Sequence, residues 1–364
     1  MNQENLNLIK KLRNELHQCP ELAGQEYRTK STVMDFIQKY TDLRIVDKGK
    51  WFYVLYEEGA LETVGFRADM DAVYAPGGEV KHACGHDGHT ATLAGLILEV
   101  NNKSKVKYKF EKNICFIFQF GEETGEGGAI CSKAILEAKI DTIYAYHNIP
   151  GFFKGAVLIK KNTFACASKG MILHFSGAPT HAAYPEYGRN PSIAIGIILS
   201  QLPAITNPDL YKGMTLCTVI GVHVGNRAFG VAASEGEILL TIRGEYESDM
   251  LKLQENLHNK AKELANNEKL DLIVKYCDEF PETVNNNECL NTIIEKCNVH
   301  KIPIIELKEP FRWSEDFGYY LKKCRGAMVG IGDGEKYEQL HTAEYEFPDD
   351  ILEKAVDIFY TFIL

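Results

Sequence analysis

Between residues 82 and 89 the chain reads His-Ala-Cys-Gly-His-Asp-Gly-His, so His82, Cys84, His86, Asp87 and His89 stand almost side by side. Imidazole, thiolate and carboxylate are the ligand types that borderline divalent metals take, zinc above all, with manganese, cobalt or nickel as alternatives. A purely structural role would require several titratable groups to be satisfied next to one another with no gain. A closed structural zinc site fits poorly, because no second Cys or His pair stands at finger-like spacing. The thiol offers a different chemistry, with Cys84 as nucleophile and His86 or His89 as its base.

Two acidic pairs flank this stretch. Arg67-Ala68-Asp69-Met70-Asp71 places two carboxylates two residues apart just after an apolar run, where both can point the same way off a sheet's end. Glu122-Glu123 follows a second apolar run and precedes Gly125, Gly127 and Gly128. In such a turn one carboxylate can bind metal while its neighbour moves a proton. His147 and His341 each follow a short apolar stretch. Taken alone they read as hydrogen-bonded histidines near strand ends.

The elements that must position these groups can be read from periodicity. Leu6, Ile9, Leu12 and Leu16 recur at helical spacing up to Pro20, with His17 near the helix end. Residues 51–56, 63–66 and 114–120 read as strands, the last one buried, and 90–100 as a helix fed by the metal-ligand loop. Alternating strands and helices imply an α/β layer with a mostly parallel sheet. From about residue 167 the pattern changes. Strands at 171–175 and 238–242 with helices at 190–202 and 249–266 predict a smaller inserted α+β domain over 167–277. Residues 1–166 and 278–364 then form the catalytic, metal-binding domain, closing with an amphipathic helix that carries Ile351, Leu352, Ala355, Val356, Phe359 and Phe362.

Composition limits the function classes. A chain of 364 residues favours two domains. Its net charge of −10, with no basic cluster interleaved with aromatics, argues against nucleic acid. The first residues lack the pattern of a secretory signal and no long apolar run follows, which predicts a cytoplasmic protein with no membrane partner. The ten cysteines are then expected to be reduced.

Taken in order, Leu16 to Leu22, Arg67 to Ala72, His82 to Thr90, Gln119 to Glu123, His147, Gly177 to Pro185, Thr241-Ile242-Arg243 and Ser314 to Phe317 resemble the aminoacylase/carboxypeptidase metallopeptidases. Within that family they are most similar to the amidohydrolase branch of hippurate hydrolases, auxin-conjugate hydrolases and N-acetyldiaminopimelate deacetylases. The resemblance implies two divalent metals held by Cys84, His86, Glu123, His147 and His341, with Glu122 as general base and Asp71 and Asp69 as active-site carboxylates. It implies that His181, in Gly177-Ala-Pro-Thr-His-Ala-Ala-Tyr-Pro185, donates to the substrate carbonyl and that Arg243 holds a substrate carboxylate. The implied activity is hydrolysis of N-acyl amino acids or similar small N-acyl compounds by a homodimer joined through the inserted domain. A dipeptidase or carboxypeptidase of the same family is the alternative, and a binding module without turnover is a third. Three departures stand out: a short, glycine-containing stretch at 72–81 beside the expected substrate mouth, Phe120-Gly121 where relatives have Pro-Ala, and Cys19 where His is frequent.

Overall fold

The computed structural model describes residues 1–363; Leu364, the last residue of the expected 278–364 segment, lies outside the described residues. The chain forms two compact units. The first comprises Met1–Phe164, Thr283–Pro310 and Glu315–Leu364, and the second Ala165–Glu282 with Phe311–Ser314. No helix among the described residues is long and apolar enough to cross a membrane.

The first unit is built on an eight-stranded mixed sheet in the order Arg44–Asp47, Phe52–Tyr56, Asn113–Gln119, Thr63–Asp69, Thr142–Pro150, Arg325–Gly334, Val157–Ile159 and Ile304–Glu306. Its four central strands, from Asn113–Gln119 to Arg325–Gly334, run parallel. Every residue of Thr63–Asp69 is buried, as a parallel strand covered on both faces requires. The helix His86–Lys105 is buried around most of its circumference, packed among the Gln3–His17 and Leu352–Ile363 helices and the Thr63–Asp69 strand. It begins earlier than its apolar pattern suggests, so His86 and His89 lie in its first turns rather than on a preceding loop. Gly85 makes that start possible. Its φ is +91°, and a Cβ there would stand 2.7 Å from Asn148 Oδ1. The short stretch before Cys84 and His86 folds as a hairpin, Val73–Tyr74 against Val80–Lys81.

The second unit is a four-stranded antiparallel sheet in the order Thr215–Val224, Glu235–Gly244, Ala167–Ser176 and Asp271–Phe280. Two helices, Ser192–Ile205 and Glu247–Asn267, share one hydrophobic core with one face of it. Leu173, Phe175, Ile238, Leu240 and Ile242 alternate into that core, where they meet Ile198, Leu253 and Leu257. The residues between them face away from it. The chain thus combines a parallel-centred α/β unit with an inserted α+β unit, the fold class that the periodicity predicts.

Candidate metal centre

The first unit gathers Asp69, Asp71, Cys84, His86, Glu122, Glu123, His147 and His341 at the ends of its central strands. Their donor atoms fall into overlapping sets. Cys84, His86 and His147 form one, Cys84, Glu123 and His341 another, and His86, Glu122 and Glu123 a third, with the donor atoms of each set within 4.8 Å of one another. Cys84 Sγ is 3.5 Å from His147 Nε2, and His341 Nε2 is 3.4 Å from Glu123 Oε1.

For His86 and His147 the far side of the ring is fixed by a hydrogen bond that turns the other nitrogen toward the cluster. His86 Nδ1 meets Asp71 Oδ1 at 3.1 Å, and Asp71 Oδ2 accepts the Glu123 backbone N–H at 2.9 Å. His147 Nδ1–H donates to the Asn148 carbonyl at 2.9 Å. His341 is held in left-handed backbone, φ 62°, where its N–H donates to the Ala83 carbonyl at 2.8 Å. A non-glycine residue in this conformation is strained and persists where surrounding structure imposes it. Here that bond ties His341 to the loop carrying Cys84.

The arrangement fits a divalent cation. His86 Nε2 and Glu123 Oε1 are buried, 3.9 Å apart, and neither makes a well-formed hydrogen bond, Glu123 Oε1 having only its charge contact with His341. Buried polar atoms are rarely left this way, and a bridging or shared cation satisfies both. Electrostatics agree. Contact with Cys84 and Glu123 pushes the His341 imidazole up to about 11. Burial opposes charge on His86, but Asp69, Cys84 and Asp71 outweigh it and hold the ring well above its ordinary range. Both effects describe a cavity that attracts positive charge. Burial, and then Glu123, raise the Cys84 thiol above its ordinary range, which disfavours the free thiolate that a nucleophilic role needs.

Glu122 lies beside this cluster, 5% exposed. Burial first, then Glu315, Glu123 and Asp316, push its carboxyl well above the usual range. Its Oε1 accepts the Asp316 N–H at 3.4 Å. Asp69 takes a different position from Asp71, since Arg67 Nη1 meets its Oδ2 at 2.6 Å and His89 Nδ1 its Oδ1 at 2.6 Å. Arg67 is fully buried and also reaches Gln119 at 2.9 Å, Asp316 at 2.7 Å and Glu315 at 2.9 Å. His89 continues to Asn148 Oδ1 at 2.6 Å, and Asn148 donates to Asp333 at 3.1 Å. Asp87 is turned away to His17, 2.8 Å off, with Arg13 at 3.6 Å, while His82 packs 6.5 Å from the His17 ring.

Sequence reasoning did not single out Arg67, Asn148 or Asp333. Their only signal is a charged or polar residue inside a strand that is otherwise buried.

His181 and Arg243 belong to the second unit. His181 Nδ1 accepts the Ala183 N–H at 3.1 Å, which places the ring proton on Nε2 of an exposed imidazole. Arg243 Nη1 donates to Ser314 Oγ at 2.8 Å and to the Arg312 carbonyl at 3.2 Å, both neutral oxygens. Burial lowers its pKa, so this guanidinium is partly desolvated against uncharged acceptors.

The model of the peptidase family M20/M25/M40 matches residues 65–364. A Staphylococcus epidermidis relative named an uncharacterized hydrolase is 29% identical, with 95% of each chain covered. An N-acetyldiaminopimelate deacetylase of Priestia megaterium is 26% identical, covering 96% of this chain and 95% of its own. Among solved structures, a Bacillus subtilis protein described as a dinuclear metal-binding peptidase from the M20 family superposes with a TM-score of 0.81 at 21% identity, covering 100% of this chain and 98% of its own. At that identity the likeness shows the shared fold.

Proposed function

Because the chain belongs to peptidase family M20/M25/M40, and so is a hydrolase of a metal-dependent family, we propose that it cleaves the amide bond of N-acyl amino acids or similar small N-acyl compounds. The observation that carries this reading is the pair His86 Nε2 and Glu123 Oε1, buried without a well-formed hydrogen bond beside Glu122 and its raised carboxyl. Cys84, His86, Glu123, His147 and His341 would hold two divalent ions. The soft and borderline donors favour zinc, with manganese, cobalt and nickel as the other matches. Such ions supply Lewis acidity to a water and to the substrate carbonyl.

The residues then divide the work. Glu122 takes the proton of the attacking water and returns it to the departing nitrogen, and a carboxyl already raised by its surroundings suits both transfers. Asp71 keeps His86 in the tautomer with a free Nε2 lone pair and holds the Glu123 backbone, while Asp69 acts from behind through Arg67 and His89. His181 offers an Nε2–H donor to the oxygen that gains charge, and Arg243, with no carboxylate among its hydrogen-bond partners, takes the substrate's carboxylate. The domain roles follow, with 1–166 and 278–364 catalytic and 167–277 the lid. The lid's Thr215–Val224 edge strand exposes Val219, Ile220, Val222 and Val224, which supports pairing with a second copy of the chain.

Glu122→Gln tests the reading. Metal content should stay the same while turnover of N-acetyl or N-benzoyl amino acids falls by about 10²–10⁴-fold. Near-normal hydrolysis by that variant removes Glu122 from the mechanism. Chelator-insensitive activity abolished by thiol alkylation would instead revive Cys84 as nucleophile.

A further inference from the structure

The open face of the second unit's sheet carries a cluster that the hydrolytic centre does not use. Cross-strand register sets Ile273, His174, Glu237 and His223 in one row, and Asp271, Ser176 and Glu235 in the next. Directly opposed residues share a face of the sheet, and here it is the one turned away from the helices and the core. His174 Nε2 lies 3.1 Å from Glu235 Oε2, and its Nδ1 3.9 Å from Glu237 Oε2. The Ser176 hydroxyl donates to Glu235 at 2.8 Å. His174, His223, Asn226, Glu235 and Glu237 line one hollow of about 270 Å³. Gly221, two residues before His223 on its strand, leaves the imidazole room, since a Cβ there would sit 3.3 Å from His223 Nε2.

Charge and geometry single out one kind of occupant. Glu235, Glu237 and Asp271 put three carboxylates in two adjacent rows, and the nearest cation in the register, Lys275, stands opposite Ile172 in a third row. A divalent cation held between them neutralises that charge. Opposed Cβ atoms are about 4.5–5.5 Å apart, so His174 and His223 flank Glu237 at a span that two imidazole arms can bridge. A zinc ion about 2.0–2.1 Å from each nitrogen fits between them. All four side chains sit on the solvent face, where rotamers exchange in about ps–ns, so the ion can draw them together without moving the backbone.

We infer that His174, His223, Glu235 and Glu237 form a divalent-cation site of the zinc class on the inserted unit, made of none of the residues of the hydrolytic centre. The test titrates the desalted, metal-replete protein with zinc alone and follows binding by calorimetry. The expected result is uptake of a further zinc per chain that weakens at least about tenfold in the double variant His174→Ala/His223→Ala. Glu237→Gln, which keeps the side-chain shape, should weaken it in the same direction. Amide hydrolysis stays at the parent rate in both variants. No uptake beyond the catalytic complement, or uptake undiminished in the double variant, overturns the inference.

Discussion

Asp71 joins two parts of the centre that are otherwise independent, because one oxygen meets His86 Nδ1 and the other accepts the Glu123 N–H. Asp71→Asn should therefore weaken metal retention by about 10–100-fold, read as metal remaining after dialysis against a chelator, where Glu122→Gln leaves it unchanged. The Asp-x-Asp spacing announces a pair of active carboxylates but not their division of labour. That is set by Arg67 and His89, which take up Asp69, and Arg67 in turn contacts Asp316 across 249 residues of sequence. No local pattern carries a contact of that separation. Glu26 is a second residue whose state only the fold reveals. Burial, then Asp71, raise its carboxyl from 4.5 to about 7, while it accepts the Gly121 N–H at 2.6 Å. The folded state thus favours the protonated acid. This contribution is complete below about pH 4.5 and is lost as pH rises through about 7, an effect of about 3 kcal/mol. Glu26→Gln should flatten that loss in denaturant unfolding of metal-free protein across this range, and should raise stability at pH 8.

Helix His86–Lys105 shows why an element's start can matter more than its body. Its apolar middle was readable from sequence, but its first turn is made of His86, Asp87, Gly88 and His89, polar residues that read as a loop. They are helical because the packed ends of neighbouring strands supply the partners that solvent would otherwise provide, Asp71 and Asp69 among them. Gly85→Ala should displace that turn, combining left-handed backbone strain with a 2.7 Å approach to Asn148, and metal affinity should fall with little change in helix content by circular dichroism. In the second unit, the strands Ala167–Ser176 and Glu235–Gly244 alternate cleanly and were legible. The flanking strands Thr215–Val224 and Asp271–Phe280 are more exposed and went unread. Their pairing is imposed by the inner strands. Leu253, fully buried where the helix Glu247–Asn267 meets the sheet, is a direct probe of that core. Leu253→Ala should destabilise the unit by about 2–5 kcal/mol in chemical unfolding.

At the scale of the molecule, the family and the α/β class were legible because the motif around Cys84 and the strand-helix alternation each extend over many residues. The return of Phe311–Ser314 to the second unit was not, since so short a segment has no period to read. A metal that binds only the folded state should stabilise the first unit by about 2.7 kcal/mol at a hundredfold excess over Kd, seen as a lower melting temperature after chelation. The discontinuity of that unit also sets an order of events during synthesis. Cys84, His86, Glu123 and His147 leave the ribosome before the inserted unit, whereas His341 and the strand Arg325–Gly334 follow it. Until then Thr142–Pro150 lacks the strand that pairs along its whole length, and its nearly all-buried residues stand at an open sheet edge. The nascent chain must carry that sticky edge, and an incomplete set of the proposed ligands, through the translation of an entire second unit. A stop codon late in the gene would accordingly yield an aggregating fragment rather than a weakened enzyme.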